Sequence, residues 1–233
     1  MNAQLVLIPG LAGDAAMWSQ QLPALAPWQP RVSDVHMRCE QIATMAQALL
    51  REEPGPLLLC GASMGGMVAM EAARQAPGRV RGLALLGTSA RPEAEEMRRL
   101  RETAIHMFER GRMAEVIEPN VRFAFHPDRH GDTALVGRYL DFVYRAGAAQ
   151  LARQNRAASA RPDAREHLAH LRCPVLVLCG EEDQLTPPEC SREIQSLVPG
   201  ARLRLLPRCG HMLTMEQPEA VNAALREWLA DCD

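Results

Sequence analysis

Residues 57–68 read Leu57-Leu58-Leu59-Cys60-Gly61-Ala62-Ser63-Met64-Gly65-Gly66-Met67-Val68, and a helical pattern then runs through Ala69, Met70 and Ala73. A serine in G-x-S-x-G, between an apolar strand-like run and a helix, is set up for nucleophilic chemistry. Small neighbours allow the sharp turn that projects the hydroxyl beyond the strand end. The helix that follows aims free N–H groups and the positive end of its dipole at the place where an oxyanion would form. Met64 N–H is therefore an expected oxyanion donor.

A serine hydroxyl is a poor nucleophile until a base takes its proton, so a histidine with its own orienting acceptor should lie elsewhere in the chain. The segment 174–187 is an apolar run ending in Gly180-Glu181-Glu182-Asp183, and the segment 203–218 is another, ending in Gly210-His211. Each places its polar residue just past a strand end, in the order Ser, Asp, His. His211 is the expected general base. Asp183 is the best orienting acid, with Glu181 and Glu182 as substitutes. A second oxyanion donor is expected from Leu11 N–H, because Gly10 and Gly13 in the loop after the first apolar run let backbone approach the serine.

The elements that must position these groups are visible as short Val/Leu/Ile-rich runs at 4–8, 31–35, 57–60, 82–86, 174–179 and 202–206. Interleaved with helix-period segments, they predict an α/β fold with a buried parallel sheet of about six strands flanked by helices. Ile42, Met45, Ala46 and Leu49 recur at helical spacing, as do Val221, Leu225, Trp228 and Leu229. Between about 89 and 169 the strand alternation stops. Met97, Leu100, Ala104 and Phe108, then Leu135, Tyr139, Phe142 and Val143, mark helices instead. The expectation is a core of residues 1–88 and 170–233 with a helical insertion over 89–169.

Taken together, Pro9-Gly10-Leu11 with Trp18, Gly61-Ala62-Ser63-Met64-Gly65, Gly180-x-x-Asp183 with Pro187, and Gly210-His211 with Glu216 and Pro218 resemble the α/β-hydrolase superfamily. More narrowly, the chain is similar to small bacterial carboxylesterases of the pimeloyl-ester esterase and enol-lactone hydrolase kind. The resemblance implies the fold, the acyl-enzyme mechanism and a helical cap over the triad, but not the substrate. Pro9-Gly10 stands where many relatives have His-Gly, and the chain starts at what would be their third strand, which also implies a shortened sheet.

Met17, Trp18, Met64 and Met67 flank these segments and could line an apolar acyl pocket, with core packing explaining Met67 equally well. Arg91, Arg122 and Arg138 could each meet a substrate carboxylate or face solvent; Arg122 is the one carried forward as a substrate contact. His126, Asp128, His130 and Asp132 form a cluster, but Pro127 and Gly131 argue against a helix presenting both histidines, so no metal is expected. His167 and His170 suggest an exposed helix face. Cys60 and Cys209 are expected to pack rather than react.

Composition narrows the classes further. The net charge of −2 with interspersed signs offers no field for nucleic acid, and no apolar run suggests a membrane span. Seven cysteines without a regular framework, and no visible export leader, suggest reduced thiols in a cytoplasm. All 26 basic residues are arginines, which excludes Schiff bases, P-loop lysines and serine–lysine dyads. The expected activity is hydrolysis of a small ester, thioester or lactone without a cofactor. The alternatives are C–C bond hydrolysis or elimination by the same triad, and ligand binding without catalysis; oligomeric state is left open.

Overall fold

A computed structural model of the chain describes residues 3–232. Met1, Asn2 and Asp233, the ends of the expected core segments, lie outside the described residues. Six parallel strands form one sheet: β1 (Gln4–Ile8), β2 (Arg31–Val32), β3 (Leu57–Ala62), β4 (Val80–Leu86), β5 (Val175–Gly180) and β6 (Arg202–Leu206), in the order β2-β1-β3-β4-β5-β6.

The four central strands read as continuous apolar runs because both of their faces are covered. Val6, Ile8, Leu57, Leu59, Leu83, Leu85, Val175 and Val177 point to one side, beneath α1 (Ile42–Glu52), α2 (Met64–Gln75) and α6 (Pro188–Leu197). Leu5, Leu7, Leu58, Cys60, Ala84, Leu86, Leu176 and Leu178 point to the other, beneath α7 (Pro218–Cys232). At the edge, β6 carries Arg202 and Arg204, which pair with Asp231 and Glu227 of α7. Such charges discourage further strand pairing.

Helices fill the connection between β4 and β5: α3 (Glu95–Glu109), α4 (Met113–Asn120) and α5 (Thr133–Ser159). Gly147 adopts φ +77° inside α5 and kinks it, a conformation that costs glycine little. Ile105, Phe108, Phe125, Leu135, Phe142 and Leu151 from this segment share one core with the α7 face of the sheet.

Two expectations need correction. The run 31–35 pairs only at Arg31–Val32, because Val35 already opens the helical turn Val35–Arg38 and is buried against the α1 side. In α3 the apolar stripe is rotated: Met97 and Leu100 are 37% and 57% exposed, while Ala104, Ile105 and Phe108 face α5 and the core. The buried residues of α3, Ile105 and Phe108, both lie in its last two turns.

Candidate active site

Ser63 lies between the end of β3 and the start of α2 with φ +52° and ψ −118°. This backbone is costly for a non-glycine residue, by about 1–3 kcal/mol, and persists only where its surroundings hold it. Ser63 N–H donates to Leu86 O at 2.8 Å, and Ser63 O accepts from Gly66 N–H at 2.9 Å and from the Thr88 hydroxyl at 2.7 Å. The turn also needs bare glycines. A Cβ on Gly65 would stand 2.1 Å from Ile8 O, and one on Gly61 would stand 2.2 Å from Gly65 O. Met64 opens α2, so its N–H is one of the unpaired donors of the first turn.

Asp183, three residues past β5, is 2% exposed, and His211, in the loop after β6, is 8% exposed. Asp183 Oδ2 lies 2.8 Å from His211 Nδ1 and also accepts from the Thr186 hydroxyl at 2.8 Å. Its Oδ1 accepts from Leu185 N–H at 2.9 Å and Thr186 N–H at 2.8 Å. A carboxylate only accepts, so Nδ1 of the neutral ring carries the proton and Nε2 keeps its lone pair. Neither substitute acid takes this place: Glu181 is exposed, and Glu182 Oε2 accepts from Cys209 N–H at 3.0 Å.

Burial disfavours charge on both partners, yet the pairing outweighs it. The His211 pKa is raised above its ordinary value by the Asp183 carboxylate. That of Asp183 is lowered by His211 and by the Thr186 hydrogen bonds. Gly87 brings this pair to the serine. It follows Leu86, whose carbonyl holds Ser63 N–H, and a Cβ there would lie 3.2 Å from Asp183 Oδ2 and 3.5 Å from His211 Nδ1. Ser63, Asp183 and His211 thus follow the carboxyl ends of β3, β5 and β6, on the same edge of the sheet, where open parallel sheets collect their ligands.

The model of the Alpha/beta hydrolase family matches residues 5–224. The chain belongs to that family. A pimeloyl-[acyl-carrier protein] methyl ester esterase of Neisseria meningitidis is 27% identical to this alpha/beta hydrolase over 97% of the chain and 92% of the relative. A protein of Escherichia coli O103:H2 whose name proposes carbamate hydrolysis is 26% identical over 97% and 91%. Among solved structures, a thermophilic esterase from Thermogutta terrifontis superposes with TM-score 0.89 at 27% identity, covering 100% of this chain and 91% of that one. The enol-lactonase from Burkholderia xenovorans LB400 superposes with TM-score 0.86 at 22% identity, over 99% and 92%, a likeness of fold.

In this alpha/beta hydrolase the loop after β1 closes over the serine. A Cβ on Gly10 would lie 3.2 Å from Ser63 Cβ and 3.8 Å from Ser63 Oγ. The two N–H groups after Leu11 are engaged: Ala12 N–H donates to Gln154 Oε1 at 2.8 Å and Gly13 N–H to Gly10 O at 3.0 Å. The histidine loop is held from the insertion. Glu216, buried, accepts Gly210 N–H at 3.0 Å with one oxygen and His126 N–H at 2.8 Å with the other, while Met212 N–H donates to Ala124 O at 2.9 Å.

The remaining expected contacts separate. Met17 and Trp18 are buried in the core on the α7 face, together with Phe125, Phe142 and Met212 of the insertion and histidine loop. Met64 and Met67 are buried on the opposite face under α1, so the four do not form one pocket wall. Arg122 is exposed and stacks over Phe123 at 4.8 Å, and Arg91 pairs with Glu193 at 2.7 Å. His130 Nε2 lies 2.9 Å from Arg122 O, and no metal-holding group occurs among the described residues. His167 is half-buried against α2, with Nε2 3.2 Å from Met70 O, rather than on an exposed face. Cys60 and Cys209 are buried free thiols whose pKa values burial pushes up.

Sequence reading missed Thr88, Thr186, Gln154 and His36. Thr186 lies between Asp183 and Pro187 and could have been found there. For Gln154, 142 residues from Ala12, no local signal exists.

Proposed function

We propose that the chain hydrolyses a small carboxylic ester, thioester or lactone through an acyl-enzyme on Ser63. The reading rests above all on Asp183 holding His211 Nδ1 at 2.8 Å, which leaves Nε2 as the basic nitrogen of the pair. His211 takes the Ser63 proton as Oγ bonds to the carbonyl carbon, and Leu11 and Met64 N–H groups carry the negative charge of the tetrahedral oxygen. Collapse breaks the bond to the alcohol or thiol, which leaves with the proton from His211. Water, deprotonated by the same nitrogen, then frees the acid and restores Ser63.

Residues 89–169 act as a cap in this reading. Ala124 and His126 rest on the histidine loop, and Gln154 on the loop of Leu11. The ester chemistry named for the relatives from N. meningitidis and T. terrifontis supports the same reaction class. A small molecule without a cofactor is the proposed substrate, and a cytoplasm the proposed location. Among the described residues no helix is long and apolar enough to cross a membrane.

The test is intact mass after exposure to a fluorophosphonate, for wild type and Ser63→Ala, followed by p-nitrophenyl esters of increasing chain length. One adduct, lost in the variant, together with ester turnover is expected. Folded wild type that gains no adduct and turns over no ester would overturn the reading in favour of ligand binding. An adduct without ester turnover would point to C–C hydrolysis or elimination.

A further inference from the structure

The loop that offers Leu11 N–H is held in place by residues far from it in sequence. Ala12 has φ +61°, an uncommon conformation for a residue with a side chain, and depends on its surroundings to keep it. Gln154, fully buried on α5 beyond the Gly147 kink, accepts Ala12 N–H at 2.8 Å. The amide of Gln154 donates to His36 O at 3.1 Å, and Gln150, one turn earlier, donates to the same carbonyl at 3.0 Å. His36, also buried, closes the circuit with Nε2 2.7 Å from Gly13 O.

A carbonyl cannot donate, so His36 Nε2 carries the proton, and Nδ1 is left buried without a partner among the described residues. Burial lowers the pKa of this ring, in keeping with a neutral structural donor. The Gln154 amide has the matching polarity, an acceptor toward Ala12 and donors toward His36. Between them the two side chains hold the N–H of Ala12 and the C=O of Gly13. The Ala12 N–H fixes the Leu11–Ala12 peptide, and Gly10 O, which accepts Gly13 N–H at 3.0 Å, fixes the Gly10–Leu11 peptide that carries Leu11 N–H, so neither plane has much freedom to turn.

We propose that Gln154, braced by His36, is a positioning residue that sets the Leu11 N–H toward the oxyanion formed at Ser63. The inference rests on the serine-esterase reading above and adds that α5 of the insertion helps assemble the reacting site. Preorganised donors stabilise a transition state only while their direction is fixed, and a displacement of about 1 Å can cost roughly 100-fold in rate.

The experiment compares Gln154→Met, close in size but without acceptor or donor, with Gln154→Glu, which retains an acceptor for Ala12 N–H. Steady-state kinetics on a p-nitrophenyl ester, the thermal midpoint and amide hydrogen exchange at Ala12 are read for each. Gln154→Met should lower kcat by about 10- to 100-fold with KM within about twofold. Its Ala12 amide should exchange at least about 10-fold faster. Gln154→Glu, its buried carboxyl kept protonated with the O–H toward His36 O, should recover most of kcat. Wild-type kcat in Gln154→Met overturns the inference. So does a loss that follows a lowered thermal midpoint and is not recovered by Gln154→Glu. If wild type itself forms no Ser63 adduct, the esterase reading falls and takes the positioning role with it; an active wild type beside an unimpaired Gln154→Met removes the positioning role alone.

Discussion

Thr186 gives Asp183 both its backbone N–H and its hydroxyl, each at 2.8 Å, one to each carboxylate oxygen. The carboxylate is therefore fixed in rotation before it meets His211, and the ring takes its orientation from a group that cannot swing. An amide at position 183 would present an NH₂ toward either Thr186 or His211. In Asp183→Asn the histidine is expected to adopt the other tautomer, with loss of activity. The expected fall in kcat is about ten-thousand-fold with the fold retained. Stopped-time ester assays beside a circular dichroism spectrum check this; a fall of less than about tenfold would remove Asp183 from the proposed triad.

The pH dependence follows from the same pair. The proposed mechanism needs neutral His211, whose pKa lies above the ordinary 6.5 because the Asp183 charge outweighs burial. The kcat/KM profile should rise with pH and inflect above pH 6.5. In Asp183→Asn, burial acts without that charge, and the inflection of the residual activity should move to lower pH. For stability the signs are opposite. The raised His211 pKa contributes stability that is complete below pH 6.5 and is lost as pH rises through the folded value. The depressed Asp183 pKa contributes stability present above the unfolded value near 3.8 and lost as pH falls through the lower folded value. The pair's contribution should be greatest between these limits, as urea unfolding across pH would reveal. Activity unchanged from pH 5 to 8 would contradict the assigned base.

Glu216 ties the histidine loop to the insertion, since its two oxygens accept from Gly210 and His126 N–H groups. In Glu216→Gln one oxygen becomes an NH₂ that faces an N–H, leaving a buried donor without an acceptor. The expected cost is about 1–3 kcal/mol of unfolding free energy, and more for Glu216→Ala, which abandons both donors. Burial raises the Glu216 pKa, although the two backbone donors oppose it. The variant should therefore also flatten any loss of stability as pH rises from the ordinary glutamate range through the folded value. Urea midpoints for the two variants at constant pH test the tie; values equal to wild type would show that it contributes nothing.

What could be read from the chain was whatever its near neighbours in sequence signal. The central strands announce themselves because a strand covered on both faces is apolar at every position, as Leu57–Cys60 and Val175–Cys179 are. Ser63 is visible because the turn that strains it needs glycines within two residues. Asp183 and His211 are visible because each lies within five residues of a strand end. The sequence ranked Asp183 ahead of Glu181 and Glu182, but did not show what turns its carboxylate toward His211. That depends on which side chain faces β6 and Thr186 once the strands pair.

Tertiary structure alone decided the rest. Met97 and Leu100 have helical spacing yet face outward, because periodicity names a stripe but not whether anything covers it. The separation of Met17 and Trp18 from Met64 and Met67 arises because β3 and its helix divide the two faces of the sheet. Gln154 meets Ala12 across 142 residues, a contact for which neither segment carries a local mark. Local sequence determined the turn at Ser63 and the strands that bear the candidate site, through backbone sterics and apolar runs. The folded chain determined which distant polar groups hold the site in place, because a buried N–H takes whichever acceptor the packing brings to it.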